Sequence, residues 1–220
     1  MDGDGTNDII FSHSELPGYS VTWYSSPTPL VDGTWTAHEV APIDYCHNLQ
    51  AEDFDLDGDT DLLVGGMVTS PQKGLSLMLN EGGGTSWVEH VIQSDGSYSA
   101  ELGDIDEDGD LDIVGVLSYD QTPTWIYRSN ADGPPGLDFW FYKEVSSAHE
   151  RTFGLGFGDV DSDSDLDIVS GSYVYFNPGS PMTSAWTQVT LPGAMHAFFA
   201  TDVDGDALAD VLGRSDRVDA

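Results

Sequence analysis

The chain is short of cysteine and of positive charge, and each shortage excludes something. Its one cysteine, Cys46, has no partner for an internal disulfide. Six lysines and arginines stand against 39 aspartates and glutamates, a formal net charge of −33. So acidic a surface repels nucleic acid and anionic membranes, and neither is expected as a partner. No apolar run approaches the ~20 residues of a membrane span, so membrane insertion is not expected. No stretch has the period of an amphipathic helix, and no secretory leader is visible. Core-forming residues are not scarce: 39% are hydrophobic, with 9 Phe, 9 Tyr and 6 Trp, which argues against a disordered acidic chain.

The acids are ordered along the chain. Asp104, Asp106, Asp108, Asp110 and Asp112 occupy alternate positions around Gly109 and run into an apolar stretch, IVGV. Asp53, Asp55, Asp57, Asp59 and Asp61 repeat the pattern around Gly58, ahead of LLVGG. Asp159, Asp161, Asp163, Asp165 and Asp167 repeat it ahead of IVSG, with Ser164 where glycine stood. A fourth copy has Asp202, Asp204, Asp206 and Asp210, with Ala207 at the sixth position and Leu208 at the seventh. The chain opens inside a fifth, Asp2, Asp4 and Asp8, whose first position would precede Met1.

This spacing suits calcium, a hard ion that takes 6–8 oxygens at about 2.3–2.6 Å. Aspartates at positions one, three and five of a nine-residue loop can be aimed at one point. The backbone carbonyl at seven (Asp59, Asp110, Asp165, Leu208) and the carboxylate at nine (Asp61, Asp112, Asp167, Asp210) would complete the shell. Glycine at six permits the positive φ of a tight turn; Ser164 and Ala207 predict strain in the third and fourth loops. An EF-hand is excluded, since position twelve is Val64, Gly115, Ser170 or Gly213 rather than glutamate, and no helix follows. About four calcium ions are expected, with a fifth site at the cut N-terminal loop. One copy would be a weak signal for an ion; four complete copies are a strong one.

The ninth-position aspartates Asp8, Asp61, Asp112, Asp167 and Asp210 are spaced by 53, 51, 55 and 43 residues. Each interval holds an apolar run, a second strand ending in a Gly, Pro, Asn or Ser turn, and a third strand opening at a tryptophan (Trp35, Trp87, Trp140, Trp186). A fourth short strand then leads to the next loop. Four short strands in about 40–50 residues, repeated, predict an all-β chain of four-stranded antiparallel β-propeller blades. The expected blades are 1–45, 46–96, 97–150, 151–194 and 195–220, the first and last incomplete. A metal loop joins the first and second strand of each.

The motif D-x-D-x-D-G-x-x-D-[LI]-[VL], at this period, resembles the FG-GAP/VCBS repeat family, which includes the integrin α-subunit propeller. The resemblance covers nearly the whole chain and implies a propeller of six to eight blades with calcium in the loops. A ring of seven needs roughly 350 residues at about 50 per blade. The chain therefore reads as a partial propeller of four to five blades. Its natural start and targeting signal are expected upstream, and its open blade edges are expected to self-associate.

Other constellations are weaker. His38 and His90 recur on the third strand, and His47 and His196 stand six residues before a loop. With Trp23, Tyr24, Trp125 and Tyr127 they could line a sugar pocket, but a fixed place in a repeat favours packing roles. His149-Glu150-Arg151 breaks the repeat and is read as a polar loop tip. No nucleophile elbow or usable triad occurs, and no catalytic residue is assigned. Calcium at millimolar level is found outside cells, so the calcium loops point to a secreted or cell-surface protein stapled by ions rather than by disulfides. The expected role is a non-catalytic binding or adhesion module for carbohydrate or protein. The alternative is the propeller portion of a secreted polysaccharide lyase or hydrolase.

Overall fold

In the three complete sheets the apolar runs after the acidic loops become strands buried on both faces, and the segments opening at tryptophan become outer strands with no buried residue. The computed structural model describes residues 1–118, 123–129, 140–147, 152, 154–193 and 195–215. Among these, all regular structure is antiparallel β, in five sheets. The first holds β1 (Ile9–Phe11), β2 (Val21–Ser25) and β3 (Thr36–Ala41). The second holds β4 (Cys46–Glu52), β5 (Asp61–Gly66), β6 (Gly74–Asn80) and β7 (Trp87–Gln93), in that order. The third holds β8 (Ser99–Gly103), β9 (Asp112–Val116), β10 (Thr124–Arg128) and β11 (Phe141–Ser146). The fourth holds β12 (Leu155–Gly158), β13 (Asp167–Ser170), β14 (Tyr173–Phe176) and β15 (Thr187–Thr190). The fifth pairs β16 (Met195–Thr201) with β17 (Asp210–Ser215). Each complete sheet is a meander of four neighbours, the form of a propeller blade. Only Trp87 starts its strand; Trp35, Trp140 and Trp186 stand one residue ahead of theirs.

Burial follows the order of strands within a blade. Every residue of β5, β6, β9 and β13 is buried, whereas β15 is exposed throughout and no residue of β7 or β11 is buried. A strand covered on both faces loses the alternation of a half-buried one and reads as a continuous apolar run. LLVGG and IVGV are such runs.

The chain divides into two compact units, one spanning Met1–Tyr98 and the other the described residues from Ser99 onward. In the first, Val21 and Ala41 of one blade pack with Cys46, Leu62, Val64 and Met78 of the next. The buried Trp23 donates from Nε1 to the Gly84 carbonyl at 2.9 Å. Gly84 has a φ of +65°, and a Cβ there would lie 2.5 Å from the Trp23 ring, so glycine is required twice over. In the second unit Val169 and Val174 pack with Ala197 and Ala200 of the following sheet. Gly103 lies under the Phe157 ring, and Gly158 against Ala200 and Ala209. Small residues at these points let adjacent blades close on each other.

Candidate metal centres

Each aspartate loop is the corner between the first and second strand of a blade: 53–61 joins β4 to β5, 104–112 joins β8 to β9, 159–167 joins β12 to β13 and 202–210 joins β16 to β17. The backbone follows one course in all of them. Position six is left-handed at Gly58 (φ +96°), Gly109 (+98°), Ser164 (+80°) and Ala207 (+71°). Position four is left-handed too, at Leu56 (+59°), Glu107 (+59°), Ser162 (+69°) and Gly205 (+85°). The acidic segment 2–8 matches, with Gly3 at +70° and Gly5 at +84°. Non-glycine residues hold this conformation at roughly 1–2 kcal/mol each, so the strain expected at Ser164 and Ala207 is present and extends to position four.

Side chains enforce that course. The position-one carboxylate straddles the turn: Asp53 accepts from the Asp57 and Gly58 amides at 3.2 and 3.0 Å. Asp104 accepts likewise from Asp108 and Gly109, both at 3.0 Å. Asp159 accepts from Asp163 and Ser164 at 3.1 and 3.2 Å, and Asp202 from Gly205 and Ala207 at 2.6 and 2.9 Å. Position five accepts from the amide of position seven, as Asp57 does from Asp59 at 2.8 Å.

The ninth position is built differently. Asp61, Asp112 and Asp167 are fully buried, and both oxygens of each are taken by backbone amides. One oxygen accepts from position two: Phe54, Ile105 and Val160 donate at 2.9, 3.0 and 2.9 Å. The other accepts from the residue that ends or follows the third strand: Asn80, Ser129 and Asn177 donate at 2.8, 2.9 and 2.9 Å. Asp210 makes the first of these bonds, from Val203 at 3.0 Å, and is exposed. In the second, third and fourth blades the ninth aspartate is thus a clamp from corner to blade.

Carboxylate oxygens converge within 4.8 Å of one another in four sets: Asp53, Asp55 and Asp57; Asp104, Asp106 and Asp108; Asp159, Asp161 and Asp167; Asp202, Asp204 and Asp206. Positions one, three and five meet in three corners, while the 159–167 corner brings in position nine in place of Asp163. Two oxygens each about 2.4 Å from one ion lie at most about 4.8 Å apart, so each set fits a single calcium. All donors are hard carboxylate oxygens, with neither thiolate nor imidazole among them, which again favours calcium over a softer metal. Asp59, Asp110 and Asp165 are outside these sets, and so are the ninth-position Asp61, Asp112 and Asp210, which were expected to complete the shell. The oxygens of Asp61 and Asp112 are instead engaged by backbone amides, and Asp110 accepts from the Ser129 hydroxyl at 3.2 Å. Asp2, Asp4 and Asp8 form no such set, and Asp8 pairs with the N-terminal ammonium at 3.1 Å.

Without a cation the sites hold their charge reluctantly. Burial pushes Asp112 up to about 7 and Asp167 up to about 6, with neighbouring aspartates adding to the rise. Desolvation also raises Asp55, Asp61, Asp108 and Asp161 above the ordinary carboxylate range. These groups need protons or a positive ion, and the geometry admits the ion.

The sequence signature of the FG-GAP-like repeat matches residues 53–115 and again 104–170, so that two overlapping copies together span more than half the chain. The chain belongs to the FG-GAP-like repeat family. No curated protein matches it. Each matched FG-GAP segment runs from the first aspartate of one corner to the strand after the next. The acidic corner and the blade are therefore one repeating unit.

Two parts of these FG-GAP corners do not show in the aspartate spacing. One is the left-handed fourth position, which Leu56, Glu107 and Ser162 do not advertise. The other is the buried pair Asn80 and Asn177. Asn177 Nδ2 donates to the Leu166 carbonyl of its own corner at 3.2 Å and to the Ile105 carbonyl of the preceding corner at 3.0 Å. Asn80 does the same toward Thr60 and Met1, at 3.3 and 2.9 Å. The recurrence of asparagine at the end of the strand that precedes the tryptophan segment, in LMLN and VYFN, was the available signal.

The histidines and aromatics fall mainly into packing roles. Trp23 and Trp125 are core residues, so neither can offer a face to a sugar. His38 stacks on Trp23 with ring centroids 4.0 Å apart and meets the Ser25 hydroxyl at 3.0 Å. His47 stacks on Tyr98 at 4.2 Å and bonds its carbonyl, and His196 is buried. His90 is half-buried on β7, and Tyr24 and Tyr127 are half-buried. Cys46 is a free thiol in the core. His149-Glu150-Arg151 lies outside the described residues.

Proposed function

We propose that this chain is a calcium-stabilised β-propeller module that acts outside the cell as a non-catalytic binding or adhesion surface. The observation that carries the reading is the recurrence of converging carboxylates at equivalent blade corners, four times in one chain. Carboxylates this close repel one another, and the backbone strain at positions four and six adds to the cost of the empty corner. An ion removes the repulsion. Calcium is available at the required level outside cells, and ion staples suit a chain that has no disulfide. Filling each independent site contributes about 2.7 kcal/mol at a hundredfold excess over Kd. No helix among the described residues is long and apolar enough to cross a membrane.

The test is thermal unfolding of the whole chain in chelator and in millimolar calcium. A substantially higher melting temperature in calcium is expected; identical melting in both would refute the reading.

For the ligand, carbohydrate is supported by an exposed ring group in the first blade. Tyr19 and His13 are 3.9 Å apart between centroids, Phe11 and His13 are 4.9 Å apart and nearly perpendicular, and Phe11 and Tyr19 are each about half exposed. Aromatic faces of this kind suit pyranose rings. A glycan array should show retention without product release, and Tyr19→Ala should lose it. New reducing or unsaturated ends from a polysaccharide panel would instead establish a degrading enzyme.

A further inference from the structure

The four carboxylate corners are not equivalent: among the described residues, one of them has a basic side chain paired into it. Arg128, the last residue of β10, donates from its guanidinium to Asp106 Oδ2 at 2.6 Å. Asp106 is buried, and the arginine is itself largely covered. Only six lysines and arginines exist in the chain, so a base placed here is conspicuous.

Register within the blades shows what stands in the same place elsewhere. The Ser129 amide clamps Asp112 just as the Asn80 and Asn177 amides clamp Asp61 and Asp167. The residue before each clamp is therefore equivalent: Arg128 in the third blade, Leu79 in the second and Phe176 in the fourth. Leucine and phenylalanine supply no charge. In the 104–112 corner, residues 128 and 129 between them reach Asp106, Asp110 and Asp112. Meanwhile Asp106 Oδ1 stays buried with no hydrogen-bond partner, so the guanidinium satisfies only half of that carboxylate.

We infer that Arg128 is a resident cation of the 104–112 corner, one that partly replaces calcium in holding its carboxylates together and opposes calcium binding there. This rests on the calcium reading above and deepens it. The physical basis is that a guanidinium and a divalent ion drawing on the same carboxylate repel each other, while either alone relieves the repulsion among Asp104, Asp106 and Asp108. The corner 104–112 is accordingly ordered in chelator and is the weak site, filled after 53–61. The module then answers calcium in steps.

The test compares the wild-type chain with Arg128→Met, which keeps the stem and removes the charge, and Arg128→Lys, which keeps the charge. Calcium is followed by isothermal titration and, in parallel, by terbium luminescence; stability is followed by melting in chelator and in calcium. The expected wild-type isotherm has one site weaker than the rest. Arg128→Met should tighten that site by about tenfold, lower the melting temperature in chelator, and recover most of the loss in calcium. Arg128→Lys should keep the weak site. If Arg128→Met leaves every site unchanged, or is destabilised equally in chelator and calcium, the residue merely packs and the inference is overturned. If no site binds calcium in any variant, the calcium reading itself fails. The chelator melt then still decides whether Arg128 neutralises the corner.

Discussion

Replacing Asp112 by asparagine should reverse its effect on stability with pH, provided that calcium is removed. In the calcium-free fold burial holds this carboxyl at about 7, against 3.8 for an exposed aspartate. Between those values the folded chain binds a proton that the unfolded chain does not. Linkage then makes stability fall as pH rises through the window. Roughly three pH units at about 1.36 kcal/mol each set a ceiling of about 4 kcal/mol, and solvent at the mouth of the corner lowers it to about 2–4 kcal/mol. For a chain of this size that is about 10 °C in melting temperature. The carboxamide of Asp112→Asn cannot titrate. It keeps one acceptor but turns an NH2 toward either the Ile105 or the Ser129 amide, which strands a buried donor at about 1–3 kcal/mol. Near pH 5 the variant should thus be less stable than wild type by that amount. Near pH 8 the two should converge or cross, because the wild type now carries an unneutralised buried charge. With calcium present the wild type should be the more stable at both pH values. The assay is urea unfolding of both proteins at about pH 5, 6, 7 and 8, with calcium stripped and with calcium added. Because the remaining acids titrate in both chains, the difference between the two slopes isolates Asp112. Parallel slopes in the stripped proteins would refute the reasoning.

Other perturbations separate the roles of neighbouring positions. Asp57→Ala touches an exposed carboxylate in the 53–61 set, so its cost should appear in calcium and largely vanish in chelator, as read by melting temperature. Ser164→Gly and Ala207→Gly relieve left-handed residues and should each stabilise by about 1 kcal/mol in chemical denaturation, most visibly without calcium. Gly84→Ala drives a methyl into the Trp23 ring at 2.5 Å and should destabilise by about 1–3 kcal/mol, with tryptophan fluorescence reporting the displaced ring.

The repeat and its corners were legible because their causes are local. An ion needs oxygens at fixed short spacing, and Asp53, Asp55 and Asp57 display that spacing in the bare sequence. A doubly covered strand needs continuous apolar residues, and LLVGG shows them. The recurrence of Asn177 was visible but its role was not, because its partners, Ile105 and Leu166, offer backbone carbonyls that no side-chain pattern records. Position nine was read only as a ligand, since nothing in the letters around Asp61 tells that two amides hold it. Trp23 and Trp125 illustrate the converse. An aromatic at a repeated position is as compatible with an exposed platform as with a core, and only burial decided between them.

The Asn177 side chain has a consequence for how the second unit responds to a change at a single corner. Its one amide group grips the loop of its own blade and the loop of the blade before it, so neither can shift without pulling on the other. A disturbance at Ile105 reaches Leu166 through a single rigid plane of atoms. Neighbouring corners are tied as linked vertebrae rather than strung as separate beads, so a shift in one loop is passed to the seat of the next.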